Sequence, residues 1–181
     1  PATCSPEGSC SGGVDNELLP LAGFVNSNLE AEVKKGGLNL LMTMVDPKTD
    51  GSEFTLVIYA GKLTNGSCAH LTAACNYLID AATLKDDCSP LITIDNARIK
   101  NGKLTAGGPG TNFPLQIPLF GSTYLEINLF SGAIKGDIEL APDKVVKITN
   151  GMIGGAIPKS TFITAIEFIP EDQLPVPKES I

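Results

Sequence analysis

The chain carries few side chains able to do covalent chemistry: one histidine, His70, and five cysteines, Cys4, Cys10, Cys68, Cys75 and Cys88. A Ser–His–Asp or Cys–His system needs a base within hydrogen-bond reach of its nucleophile, so it would have to use His70. That residue stands between Cys68 and Cys75, and no G-x-S-x-G elbow occurs elsewhere. His70 therefore reads as a residue on or partly packed against a helix rather than as a catalytic base. No C-x-x-C pair is present, and one histidine cannot complete a Cys/His zinc site of familiar spacing. Disulfide formation is the chemistry that remains. Cys4 and Cys10 lie close enough in sequence to close a small loop. A helix across Ser67 to Asp80 would separate Cys68 from Cys75 by two turns, about 10 Å, which exceeds disulfide reach. Cys75 with Cys88 is then the expected local bridge, and Cys68 the thiol left free or paired between chains. Disulfides imply an oxidising compartment.

The carboxylates suggest a second possibility. Asp46, Asp50 and Glu53 are weak calcium candidates, as are Asp86 and Asp87, because calcium takes six to eight oxygen ligands. Only Asp50-Gly51 fits an EF-hand rhythm, and turn chemistry accounts for both clusters. No carboxylate pair stands out for glycoside cleavage. No G-x-G-x-x-G, Walker A or C-x-x-C-H motif occurs. The expectation is a chain without catalytic residues, metal or cofactor. Asn65-Gly66-Ser67 has the form of a glycosylation sequon.

Thirteen basic against 20 acidic residues give a net charge of −7 and a pI of about 4.6. Arg98 is the only arginine. Nucleic-acid affinity depends on neutralising phosphates with Lys and Arg, so nucleic acid and anionic membrane surfaces are poor partners. Charged residues make up only 18% of the 181, against 43% hydrophobic, with 19 glycines and 13 prolines. That composition suits one folded domain and argues against disorder. Pro1 in place of methionine suggests a processed chain, and no apolar run is long enough for a membrane-spanning helix.

Most elements that must position these groups read as strands. Residues 1–14 form a Gly/Ser/Pro-rich arm, flexible unless Cys4 and Cys10 pin it. Leu18, Leu21, Val25, Leu29 and Val33 make one helical stripe, stopped by Gly36-Gly37. Leu38 to Val45 and Phe54 to Leu63 form a hairpin about the turn residues Asp46 to Gly51. Strands follow at Leu91 to Ile99, Lys103 to Ala106, Phe113 to Phe120, Tyr124 to Phe130, Ala133 to Leu140 and Val145 to Ile157. A last helix runs from near Ser160 through Ile166, and an extended Pro-rich tail covers 171–181. The expected fold is mainly β, an antiparallel sandwich or barrel with two or three short helices and a single domain over 15–170. A loose pattern recurs around Ile99, Ile134 and Ile153, each near Gly; its glycines mark bulges or bends.

Residues 90–108 (PLITIDNARIKNGKLTAGG) and 148–175 (ITNGMIGGAIPKSTFITAIEFIPEDQLP) resemble uncharacterised secreted or lipid-anchored envelope proteins of myxobacteria and related bacteria. The resemblance covers about a third of the chain. It lends no activity and implies only a location in the envelope or outside the cell. Together these readings lead to an extracytoplasmic structural or interaction protein, self-associating at the cell surface. The alternatives are a carrier of a small apolar ligand and a hydrolase using dispersed carboxylates.

Overall fold

A computed structural model describes residues 3–4, 10–11, 38–64, 75–120, 123–141 and 144–167, with shorter pieces at 29–31, 33–34, 36, 169–171 and 177. The strands are β1 (Thr3–Cys4), β2 (Cys10–Ser11), β3 (Leu40–Val45), β4 (Asp50–Leu63) and β5 (Tyr77–Ile79). They continue with β6 (Ile92–Lys100), β7 (Lys103–Gly107), β8 (Asn112–Phe120), β9 (Thr123–Ala141) and β10 (Lys144–Ala156). Helix α1 spans Lys159–Glu167, and 29–31, 33 and 34 are also helical. All strand pairings are antiparallel, so the mainly β expectation holds. The main sheet has the order β10-β9-β7-β6-β4-β3 and curls into a half-barrel.

Two long strands act as spines. The 14-residue β4 pairs with β3 on one side and with β6 and β5 on the other. The 19-residue β9 pairs with β10 on one side and, on the other, with β7 and then β8. β7 and β8 are thus collinear pieces of one line, interrupted at 108–111. The sequence separates Tyr124–Phe130 from Ala133–Leu140, but Ser131 keeps the chain in strand by taking φ +52 as a bulge. Asn150 (φ +50) does the same in β10, where the register slips between Thr149 and Met152. Asn101 (φ 52) and Gly102 (φ 71) make the two-residue turn from β6 to β7, the Asn-Gly pairing that suits positive φ at both positions.

Burial follows the period of two, with one informative slip. Ile92 and Ile94 are buried, then Ala97 and Ile99. The phase changes at Asp95-Asn96, where β4 pairs Leu56 with Ile94 but Phe54 with Ala97. The bulge keeps both halves of β6 facing one core, which joins Phe54, Leu56 and Ile58 to Leu104, Phe113, Leu129 and Ile134. Each such side chain contributes about 1.5–3 kcal/mol relative to exposure.

The helix expected over Ser67 to Asp80 is corrected at its end: Tyr77–Ile79 is strand, paired with Gly61 to Leu63. Tyr77 and Ile79 favour β structure, and the end of β4 beyond Ile58 offers a ladder that β6 leaves unused. Residues 65–74, with Cys68, His70 and the sequon, lie outside the described residues, as do 12–28 and nearly all of the tail.

Candidate functional site: a polar slot where the sheet divides

β6 and β7 pair only from Arg98↔Thr105 to the turn. Beyond that point β6 stays with β4, while the β7–β8 line stays with β9. Asn96 bridges the opening. Its Nδ2 donates to Gly107 O at 3.1 Å, and its Oδ1 accepts from Gly107 N at 2.8 Å. One amide side chain thus replaces a rung of the ladder. The loop after it is clamped to β9, with Gly108 N donating to Gly132 O and Gly132 N donating to Thr111 O, each at 2.8 Å.

Two adjoining depressions result, sharing Glu53 and Asn96. The larger, about 440 Å³, lies between the first half of β6 (Thr93, Asp95) and the loop wall (Gly110, Thr111, Asn112). The smaller, about 370 Å³, runs over Arg98, Thr105 and Lys135. Arg98 Nη2 donates to Glu53 Oε1 at 2.5 Å, and Thr55 Oγ1 donates to Asp95 Oδ1 at 2.9 Å. The site offers hydroxyls, carboxylates and, along 92–96, main-chain groups with no ladder partner on the side away from β4 among the described residues. These groups suit hydrogen bonding to a polar, extended ligand. The sequence gives no local sign of it. Its nearest clue is the Gly107-Gly108-Pro109-Gly110 run between two strands.

The residues singled out from sequence lie elsewhere, except Glu53. Asp46 is exposed at φ +50, and Asp50 accepts from Ser52 N at 2.8 Å. Glu53 is tied to Arg98. These three of the five calcium candidates therefore serve turns and an ion pair, and no group of three or more His, Cys, Asp or Glu able to hold a metal occurs among the described residues. Asp87 takes Ser89 N at 2.9 Å. The backbone register sets Cys4 opposite Cys10.

The Cys75–Cys88 expectation is corrected. Cys75 is disulfide-bonded, but Cys88 is a free, exposed thiol. Cys88 (φ +63) sits in its own tight turn, with its N–H on Lys85 O at 2.9 Å, and that turn presents it to solvent.

Asp80 illustrates the electrostatics of the loop beside β5. Lys62 at 2.9 Å, together with the Ala82 N–H at 3.1 Å, holds its carboxyl below the usual value. An unfolded aspartate titrates near about 4. The stability gained is therefore complete above that pH and is lost as pH falls through the lower folded value. We expect Asp80→Asn to lose up to about 1 kcal/mol at neutral pH. Thermal melts on a pH series check this, and the difference from the unaltered chain should vanish in strong acid.

No protein-family model, curated protein or solved structure matches this chain. Among the described residues, no helix is long and apolar enough to cross a membrane.

Proposed function

We propose that the chain is a non-catalytic, extracytoplasmic structural or interaction protein that self-associates through an edge of its sheet. The observation carrying this reading is β3. Among the described residues it is hydrogen-bonded only to β4, and Leu40–Val45 contains no charge, proline or glycine. Edge strands that must stay solitary usually carry lysine, proline or bulges. The opposite edge, β10, does so, with Lys144, Lys147 and the Asn150-Gly151 bulge. Val45, 46% exposed, adds apolar surface at the bare edge. The apolar-carrier reading gains no support from the two depressions, whose linings are rich in polar side chains.

Sedimentation over a concentration series tests the association. Oligomers should grow with concentration, and Thr43→Lys with Val45→Lys should return the chain to monomer with its melting point little changed. A monomer at every concentration would sink the proposal. The compartment has its own check, supported by the bonded Cys75 and the envelope resemblance. In denaturant without reductant, alkylation should label Cys88 alone. Labelling of all five cysteines would overturn the extracytoplasmic placement.

A further inference from the structure

We propose that the slot between β6 and the 109–112 loop takes up an extended peptide bearing a basic side chain, which adds to β6 as a strand. This rests on the reading of the chain as an interaction protein. It uses a different edge from the self-associating one.

Three observations on one site carry it. First, Ile92–Ile94 pair in register with β4 and Asp95-Asn96 form a bulge, yet among the described residues β7 pairs with β6 only from Arg98 to the turn and β8 pairs with β9. Alternate N–H and C=O groups on that side of β6 therefore face the depression without a ladder partner among the described residues. Such groups are strong hydrogen-bonding groups, and their alternation along a strand matches another backbone better than any small solute. Second, the space has the right form. The depression of about 440 Å³ runs beside this segment, and five strand residues extend about 16 Å. Its far wall is held by the loop's bonds to Gly132 and by the Asn96 clasp on Gly107. A wall fixed before binding spares the complex the cost of ordering the loop.

Third, the charge is one-sided. Glu53 and Asp95 are the only charged residues lining the larger depression among the described residues. One oxygen of each is engaged, by Arg98 and by the Thr55 hydroxyl respectively. The second oxygen of each remains available to an ammonium or guanidinium from the ligand, and such charge-assisted hydrogen bonds are the stronger kind.

The test uses the full chain and three synthetic ten-residue peptides. One alternates valine and threonine about a central lysine; the second has glutamate in its place; the third is the lysine peptide N-methylated throughout. The lysine peptide should bind saturably by fluorescence anisotropy and slow amide hydrogen exchange within 92–96. The glutamate peptide should bind about tenfold more weakly, and the N-methylated one should not bind. Asp95→Lys should reverse the order of the first two. Equal binding of lysine and glutamate peptides, or no binding, overturns the proposal. So does finding, in the peptide-free protein, that every amide of 92–96 exchanges as slowly as those buried in β4, because the edge would already be paired. That exchange measurement needs no variant to fold. Failure here leaves sedimentation free to support self-association through β3, and a monomer that still binds peptide separates the two in the other direction.

Discussion

Gly107→Ala should lower stability by about 3 kcal/mol, a fall of roughly 6–12 °C in melting temperature for a chain of this size. Gly107 has φ +80, and a Cβ there would lie 2.2 Å from Gly132 O. That obstacle is backbone, so no rotamer change relieves it. It is also held in place, since Gly132 O accepts from Gly108 N at 2.8 Å. Moving Gly107 away would pull on both hydrogen bonds it makes with the Asn96 side chain. Gly110 provides the control. Its φ is +86, but nothing lies within 4 Å of a Cβ built on it. Gly110→Ala should therefore cost only the conformational penalty, about 1 kcal/mol. Urea unfolding of the two variants decides the matter. Equal losses would mean that the close approach of β7 to β9 contributes nothing.

The parts of this fold legible in sequence are those set by neighbouring residues. Asp46 to Gly51 has turn chemistry whatever surrounds it, so the β3–β4 hairpin could be read directly. Glycine beside asparagine or serine marks the bends at Asn150-Gly151 and Ser131-Gly132, although the positive φ falls on Asn150 and Ser131 rather than on the glycines. A bulge and a turn look alike locally, however, so local sequence divides β9 in two at Ser131. Tyr77–Ile79 is a similar case: Leu71, Ala74 and Leu78 have helical spacing, and only the spare length of β4 makes 77–79 a strand. The choice between Cys88 and another partner for Cys75 depends on distances across the fold. The slot is the extreme case. It exists because β6 follows β4 while β8 follows β9, a divergence of long-range registers that no window of sequence contains.

Phe113 and Gly132 should show strong, non-additive coupling. Phe113 is 1% exposed at the start of β8, joined to the core cluster that spans both halves of the sheet. Phe113→Ala should cost about 4 kcal/mol, from lost burial and the cavity left behind. Gly132→Ala places a Cβ 2.5–2.8 Å from three atoms of the Phe113 ring. A ring so enclosed has little room to give, so the added methyl should cost about 2 kcal/mol by overpacking. With Phe113 already alanine, the same methyl meets no ring and fills part of the cavity. The double variant should then be no less stable than Phe113→Ala alone, a coupling of about 2 kcal/mol. Denaturant unfolding of all four chains measures it. Additive losses would show that the ring does not rest on the glycine bulge. The contact also bears on the slot, because Gly132 holds the loop through Gly108 and Thr111 while Phe113 fixes the strand leaving it. Amide exchange at 108–112 should therefore quicken in either single variant, and more in Phe113→Ala, where the strand loses its anchor.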